Sequence, residues 1–224
     1  MDVKTYCEAV EEKDKRNKIL TPSIWVRDNH SPLISLMKTN FNLIFEPSVF
    51  PNYTYLVRED ILEKIGRISK RLDALNKILI IRSAWRSIDH QKLLWNINFD
   101  FFQKQHPEKT IEEVKEIVNY FIAFSRESMH ATGGAVDALI YDIDNDNVLD
   151  FGTNKGLKIE LSKMCYPYHP EIYEEAKKNR ALLIGLFESE DFVCDVKEYW
   201  HFDYGNAIWA IEKEKEYAKF GAIT

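Results

Sequence analysis

The stretch ESMHATGGAVDALIYD, residues 127–142, is where the sequence says most about its fold and its chemistry. It contains His130, the adjacent glycines Gly133 and Gly134, and Asp137, which lies near the start of a largely apolar run with alternating side chains. Glycine tolerates positive φ angles, so this pair allows the backbone to turn sharply between the two polar residues. Two hypotheses follow: an ordinary turn that carries two polar side chains, or a turn that aims two ligands at one metal ion.

The run AVDALIY, residues 135–141, has the alternation of a β-strand. Successive side chains of a strand point to opposite faces, so Ala135, Asp137 and Leu139 share one face. A carboxylate on that face is either exposed to solvent or bound to something. The stretch therefore predicts a strand with Asp137 near its start.

The bulk composition is that of an ordinary globular domain. The 224 residues are 45% apolar and 29% charged, and no Gly/Ser-rich or Pro-rich stretch marks a linker, so we predict one domain over residues 1–224. The net charge of -6 disfavours nucleic acid as a partner, because an acidic surface repels phosphates. The oligomeric state stays open.

No part of the sequence indicates a membrane association. No run approaches the roughly 18 uninterrupted apolar residues of a membrane span, and no basic amphipathic segment stands out. Residues 1–20 are charged throughout and lack the apolar core of a signal peptide. We therefore expect a cytoplasmic protein.

The three cysteines, Cys7, Cys165 and Cys194, form no CxxC pair. An odd count without paired spacing argues against a disulfide framework and against a thiolate zinc site. Free cysteines usually behave as small apolar side chains, so we expect three buried or partly buried thiols.

Hydrophobic periodicity predicts an α+β fold: a small central antiparallel sheet that carries the site, with helices packed around it. Prolines punctuate residues 1–50, which we expect to be irregular and to wrap the core. Strands are predicted over 78–81, 135–141 and 191–205. Helices are predicted over 58–75, over 88–104, after Thr110, over 169–190 with Pro170 in the first turn, and over 207–224 at the C-terminus.

A hydrolytic zinc ion needs three nitrogen or oxygen ligands and one open position for water. It also needs a nearby carboxylate that takes the water's proton, and a cation that stabilises the oxyanion. His130, Asp137 and His201 are the candidate ligands. Glu198 is the candidate base, and Arg86, just beyond the first predicted strand, is the candidate cation.

Two details of this assignment need structural resolution. Arg82 lies four residues before Arg86, and either arginine can instead form a structural ion pair. Glu198 and His201 are three residues apart, so on an unbroken strand they would point to opposite faces. We therefore predict that the strand ends, bends or bulges near Trp200.

Three motifs together, SMHATGGAVD, EYWHF and AWRS, resemble the VanX-type D-alanyl-D-alanine dipeptidases. These belong to the zinc D,D-peptidase superfamily, which also contains the VanY-type carboxypeptidases. The resemblance covers about residues 40 to 205. The residues that match the family's pattern in order are Ser128, His130, Gly133, Asp137, Glu198, Trp200 and His201.

The resemblance implies one zinc ion per chain, bound by the three candidate ligands, and a small D,D-dipeptide as substrate. Glu198 would act as general base and then as proton donor, and Arg86 would stabilise the tetrahedral intermediate. Ser128 would lie at the edge of the substrate. Trp200 is a second candidate for substrate binding, and it would also pack behind the metal. The segment FGTNKG, residues 151–156, departs from the family's pattern, because Lys155 lies near the position where an aspartate would meet the substrate's ammonium group.

Three alternatives remain open at this level. A D,D- or L,D-carboxypeptidase that trims peptidoglycan peptides would share the site but needs an open cleft. A recognition module that has kept the zinc and lost hydrolysis is a hypothesis from another class. The ligand set also suits Co²⁺ or Fe²⁺. By contrast, DIDNDNVLD, residues 142–150, lacks the glycine and the glutamate of a calcium loop, so we predict a polar turn there.

Overall fold

The computed structural model describes residues 2–124, 128–153 and 162–223. The helices in these ranges are α1 Val3–Leu20, α2 Glu59–Asp73, α3 Ile88–Gln105, α4 Ile111–Phe121, α5 Glu174–Glu188 and α6 Ala207–Glu212. The strands are β1 Trp25–Val26, β2 Leu33–Ser35, β3 Leu43–Phe45, β4 Leu56–Arg58, β5 Lys77–Ser83, β6 Ala135–Asp142, β7 Asn147–Val148, β8 Val193–Cys194, β9 His201–Asp203 and β10 Tyr217–Ala218. None of the helices in the described ranges combines enough length with enough apolar character to span a bilayer.

A six-stranded sheet forms the centre of the fold. Its strand order is β3-β5-β6-β9-β8, and β7 pairs with the C-terminal end of β6. Strand β3 runs parallel to β5, whereas the other pairs are antiparallel. A mixed sheet therefore replaces the small antiparallel sheet predicted from the sequence. The difference arises because residues 43–45, predicted as irregular, add a parallel strand at one edge.

The registers on both sides of β6 bring distant parts of the chain together. On one side, Asp137 lies directly opposite His201 of β9. On the other side, β5 has an irregularity between Ile81 and Ser83, after which Ser83 lies opposite Asp137. A bulge of this kind redirects the following segment. The turn that follows β5, which carries Arg86, is therefore placed beside the start of β6.

Helix α2 contributes an apolar stripe to the main core. Ile61, Ile65, Ile68 and Leu72 are fully buried at the spacing of one helix face, and α2 contacts β5. Acidic residues lie in its first turn and basic residues in its last turn, an arrangement that complements the helix dipole. The helix predicted in this region is confirmed, and it ends two residues earlier than expected.

Helices α3 and α4 pack against each other around a second, smaller apolar cluster that includes Trp95 and Val114. A capping box begins α4: the Thr110 hydroxyl accepts a hydrogen bond from the Glu113 N–H, and the Glu113 carboxylate accepts one from the Thr110 N–H. This arrangement satisfies two backbone donors that a helix start leaves unpaired. The predicted helix start after Thr110 is confirmed.

The prediction that residues 1–50 are irregular is wrong for the first twenty, which form the 18-residue helix α1. The surface of α1 is largely polar, and Cys7 is its one buried apolar residue. The sequence therefore offers no apolar stripe that would reveal a helix. Cys7 is buried, and Cys165 and Cys194 are partly buried, as predicted.

Two other predicted helices have different bounds in the structure. The helix predicted over 207–224 is only six residues long, and Glu214 beyond it has a positive φ of 52°. The chain then continues into β10, which pairs in parallel with β1. The helix predicted over 169–190 begins at Glu174, because Pro170 lies in a turn before it.

Candidate metal centre

The glycine pair shapes the turn that presents His130. This histidine lies on the 3-10 helix Met129–Thr132, which ends at Gly133 with a φ of 74°, a conformation that favours glycine. Gly134 has a different requirement: a Cβ there would lie 2.3 Å from the carbonyl oxygen of Tyr204. The predicted turn is therefore present, but positive φ is needed at only one glycine, and the other permits a close approach of two backbone segments.

The three candidate ligands converge in the structure. His130, Asp137 and His201 each offer one donor atom, and these atoms all lie within 4.8 Å of one another. His130 Nε2 lies 3.3 Å from Asp137 Oδ2, and His201 Nδ1 lies 2.9 Å from Asp137 Oδ1. The two imidazole rings meet edge to face, with centroids 4.8 Å apart. Donors from a turn and two strands thus surround one point.

The two ring nitrogens of His130 have different environments. Nδ1 lies 2.8 Å from the carbonyl oxygen of Ala84. A carbonyl only accepts, so Nδ1 carries the proton of the neutral ring and Nε2 presents its lone pair toward Asp137. Burial disfavours the imidazolium and lowers the pKa of His130 below its ordinary value. The ring is therefore held in the neutral form that binds metals.

Asp137 and His201 are buried groups whose charged forms stabilise each other. Burial alone would raise the pKa of Asp137, but the neighbouring imidazoles of His130 and His201 hold this pKa well below its ordinary value. Burial would likewise lower the pKa of His201, but the carboxylates of Asp203 and Asp137 raise it well above its ordinary value. The two carboxylates therefore favour positive charge at the point where the three ligands meet.

Glu198 lies on the turn between β8 and β9 rather than on a strand. The Asp195 carboxylate organises this turn by accepting hydrogen bonds from the N–H groups of Lys197 and Glu198, at 2.7 and 3.0 Å. The His201 N–H donates to the Glu198 carbonyl at 3.1 Å. The predicted irregularity before His201 is confirmed, since β9 begins only at that residue. Burial, reinforced by the charge on Asp195, raises the pKa of Glu198 to about 7.

Arg86 lies beside the converging ligands. Its guanidinium donates to Gln91 Oε1 at 2.7 Å and to Ser83 Oγ at 2.9 Å, and it lies 3.9 Å from Asp137 Oδ2. Its backbone N–H donates to the His130 carbonyl at 3.1 Å. Side-chain and backbone contacts together hold a positive charge at the edge of the site.

Arg82, the competing arginine, has different partners. Its Nε lies 2.6 Å from Glu46 Oε2, and its guanidinium lies 5.6 Å from the ring centroid of Trp200. Trp200 is half-buried, and its carbonyl accepts a hydrogen bond from the Ala138 N–H at 2.9 Å. Arg82 is thus a structural ion-pair and packing partner. The role of Trp200 toward a substrate stays a prediction.

Ser128 is 5% exposed and directly precedes the 3-10 helix that carries His130. Its carbonyl accepts a hydrogen bond from the Ala131 N–H at 3.0 Å, whereas its hydroxyl does not cap the helix. Its place at a substrate's edge stays a prediction. Lys155, which departs from the family's pattern, lies outside the described residues.

Sequence reasoning missed two residues that support the site. Asp203 follows His201 by two positions, so it lies on the same face of β9, with Oδ1 3.2 Å from His201 Nε2. That spacing was visible in the sequence. Tyr53 was not detectable, because no pattern links it to its contacts: its hydroxyl donates to the Trp85 carbonyl at 2.9 Å and accepts from the Ala84 N–H at 3.0 Å. These bonds brace the turn that follows β5.

The site is a candidate mononuclear metal centre on a mixed α/β domain. Two imidazoles and one carboxylate converge there, and a further carboxylate and an arginine lie close by. Mixed nitrogen and oxygen donors of this kind are common in zinc sites. The chain belongs to the D-ala-D-ala dipeptidase family, Peptidase_M15, whose model matches residues 42–221. The resemblance inferred from the three sequence motifs is thereby confirmed.

Individual relatives match a smaller part of the chain. A D-alanyl-D-alanine dipeptidase of Escherichia coli strain K12 is 27% identical over 109 residues, 49% of this chain and 54% of that protein. A D-alanyl-D-alanine dipeptidase of Synechocystis sp. strain PCC 6803 is 32% identical over 92 residues, 36% of each chain. The matches thus span about half, or less, of the length of these curated relatives. Among solved structures, the LdcB LD-carboxypeptidase has a TM-score of 0.47 at 16% identity, covering 84% of this chain and 76% of that one.

Proposed function

We propose that this protein is a zinc-dependent peptidase that hydrolyses D-alanyl-D-alanine or a similar D,D-dipeptide. The observation that carries the proposal is the convergence of His130, Asp137 and His201 within 4.8 Å, in a chain of the D-ala-D-ala dipeptidase family. Arg86 lies 3.9 Å from Asp137, and the charges of His201 and Asp137 act on the Glu198 carboxyl. The two curated relatives named above are D-alanyl-D-alanine dipeptidases, which supports the choice of substrate. The cytoplasmic location stays a prediction.

The residues present fit a zinc ion. His130, Asp137 and His201 would hold it, one ion per chain, with nitrogen and oxygen donors of the kind that catalytic zinc sites use. The hydrogen bond from His130 Nδ1 to the Ala84 carbonyl leaves Nε2 free to bind, and Asp137 is held in its charged form. When bound, zinc supplies Lewis-acid chemistry, by acidifying water and polarising a carbonyl group.

Glu198 is the proposed general base and proton donor. Its carboxylate takes the proton of the attacking water and returns it to the amine that leaves. A carboxyl group with its pKa raised to about 7 does both near neutral pH, because neither its protonated nor its charged form is strongly favoured. Burial and the Asp195 charge thus adapt an ordinary glutamate to this task.

Arg86 is the proposed stabiliser of the oxyanion that forms on the attacked carbonyl. Its guanidinium is held by Gln91 and Ser83, so little reorganisation is needed when negative charge develops nearby. Ser128 and Trp200 are proposed to lie at the edge of the substrate. The partner is a small dipeptide, and the acidic net charge of -6 argues against nucleic acid.

Metal analysis paired with a hydrolysis assay tests the proposal. The protein is expected to purify with one zinc ion per chain and to release D-alanine from D-alanyl-D-alanine. A chelator should abolish the activity and added zinc should restore it. A protein that binds no zinc, or a zinc-loaded protein that is inert on every D,D-peptide, contradicts the proposal, and the second outcome favours a non-catalytic recognition module.

A D,D- or L,D-carboxypeptidase is the second candidate, because it would use the same site. The departure of FGTNKG, residues 151–156, from the dipeptidase pattern keeps it open. An assay that compares the free dipeptide with a pentapeptide ending in D-alanyl-D-alanine separates the two. Preference for the dipeptide supports our proposal, and preference for the pentapeptide supports the carboxypeptidase.

A further inference from the structure

His201 lies between two carboxylates, one at each ring nitrogen. Nδ1 is 2.9 Å from Asp137 Oδ1, and Nε2 is 3.2 Å from Asp203 Oδ1. Either nitrogen of a histidine can bind a metal, and the hydrogen bond made by the other nitrogen decides which one does. We propose that Asp203 is a positioning residue that makes Nδ1 the metal-binding atom of His201. This inference rests on the proposed function, since it requires the zinc site.

Asp203 is held as a fixed acceptor. It is 1% exposed, and its Oδ1 accepts a hydrogen bond at 2.6 Å from Nδ2 of Asn206, which is fully buried. Asn206 in turn accepts a hydrogen bond from the Trp209 N–H at 3.1 Å through its Oδ1, as the N-cap of α6. That bond fixes the orientation of the amide, so the amide donates to Asp203. These two hydrogen bonds connect α6 to Asp203 and hold its carboxylate toward His201.

The charge on Asp203 needs a compensating positive group among the residues that the structure describes. Its second oxygen, Oδ2, is buried without a hydrogen-bond partner in the described structure, and such an atom is costly unless a positive group lies close. His201 is that group, because the two residues lie on one face of β9, opposite Asp137 and the small Ala135 of β6. A carboxylate only accepts, so the contact with Asp203 requires a proton on Nε2. Nδ1 faces Asp137, itself a candidate ligand, so a metal ion shared with Asp137 would replace the proton on Nδ1 and leave Nε2–H donating to Asp203.

The other candidate histidine is oriented by the opposite arrangement. His130 donates from Nδ1 to the Ala84 carbonyl and presents Nε2 toward the site. The metal-binding nitrogen is therefore set by a neutral carbonyl in His130 and by a buried carboxylate in His201. A carboxylate partner raises the basicity of a ligating imidazole more than a neutral acceptor does. Asp203 is thus expected to add zinc affinity as well as orientation.

Zinc affinity of the full chain tests the proposal directly. Asp203→Asn keeps the size of the side chain and removes its charge, and it should weaken zinc binding by about 10–100-fold in competition with a chromophoric chelator. The matched control is Glu190→Gln, which removes another buried carboxylate, one that pairs with Arg67 and Arg71. The control should bind zinc as the unaltered protein does.

Nitrogen-15 NMR of the zinc-loaded, unaltered protein provides a readout that needs no variant. The expected spectrum shows His201 coordinated through Nδ1 and protonated at Nε2, with His130 in the opposite form. In Asp203→Asn, the His201 signals should shift toward a mixture of coordination modes. A purely structural role would lower the melting temperature and leave zinc affinity and the spectrum unchanged.

Two results overturn the inference. One is coordination of His201 through Nε2 in the unaltered protein, and the other is an Asp203→Asn variant that binds zinc as tightly as Glu190→Gln does. Both leave the proposed function intact, because the unaltered protein binds zinc in each. An unaltered protein that binds no zinc overturns the proposed function, and this inference with it.

Discussion

Asp137 and His201 lie directly opposite each other in the β6–β9 pair, with Asp137 Oδ1 2.9 Å from His201 Nδ1. Two residues that are 64 positions apart in the sequence are thus brought together by backbone pairing in the centre of the sheet. Paired strands hold side chains more precisely than loops do. Substitution of a candidate ligand is therefore expected to remove the metal and leave the fold.

The first prediction concerns Asp137→Asn. Loss of a residue that only hydrogen-bonds a metal ligand weakens metal binding by about 10–100-fold. Loss of the charge on a ligand itself should weaken zinc binding by more than this, and hydrolysis should be lost as well. Asp142→Asn is the matched control, since Asp142 lies at the other end of β6 and pairs with Lys77. Zinc titration and circular dichroism measure both variants. Equal zinc affinity in the two would remove Asp137 from the ligand set.

The second prediction separates metal binding from turnover. Glu198→Gln should retain zinc, because Glu198 is not among the converging ligands, and its kcat should fall by about 10²–10⁴-fold, the contribution usual for a general base. Glu188→Gln, an exposed glutamate at the end of α5, should leave kcat unchanged. Activity of Glu198→Gln within about tenfold of the unaltered protein is incompatible with its role as base.

The third prediction distinguishes the two arginines. Arg86→Ala should lower kcat by about 10²–10³-fold, the usual cost of losing one oxyanion donor, with zinc retained. Arg82→Ala breaks the ion pair with Glu46 and the contact with Trp200, so its main effect should be on the free energy of unfolding. Urea unfolding and steady-state kinetics of both variants test this. The reverse pattern would make Arg82 the functional arginine.

The fourth prediction concerns pH. Glu198 acts as base only when deprotonated, so kcat/KM should rise with pH through the pKa of this group, which burial and Asp195 raise to about 7. A bound divalent cation lowers this pKa, so in the zinc enzyme the rise of kcat/KM with pH (the acid limb of the profile) should be centred at or below about pH 7. Asp195→Asn keeps an acceptor for the two backbone N–H groups and removes the negative charge. Its acid limb should therefore move to lower pH, whereas an unchanged or higher limb contradicts the assignment.

The fifth prediction concerns the close approach at Gly134. A Cβ there would lie 2.3 Å from the backbone carbonyl oxygen of Tyr204, which cannot swing aside as a flexible side chain does. Gly134→Ala should therefore destabilise the fold by about 1–3 kcal/mol. Gly185→Ala on α5 meets nothing within 4 Å and should stabilise the protein by up to about 1 kcal/mol. Urea unfolding of both variants measures the difference.

Local pattern and residue type were enough to predict much of this protein. The stretch around His130 and Asp137 predicted a turn followed by a strand, and both are present. The three-residue spacing of Glu198 and His201 predicted an interruption of the strand before His201, which is also present. The apolar stripe of α2 and the capping residues of α4 were visible for the same reason. In each case the signal is carried by residues close together in the sequence, where steric preference and periodicity act directly.

Tertiary contacts decided the rest, since they join residues that no local pattern connects. Beyond the bulge in β5, the Arg86 guanidinium lies 3.9 Å from Asp137, whereas Arg82 pairs with Glu46. The parallel strand β3 makes the sheet mixed. Helix α1 has too few buried residues to show a stripe. Each imidazole is oriented by partners that the packed structure places beside it: the Ala84 carbonyl for His130, and the carboxylates of Asp137 and Asp203 for His201. The ligand types are thus a property of the sequence, whereas their orientation and charge are properties of the packed structure.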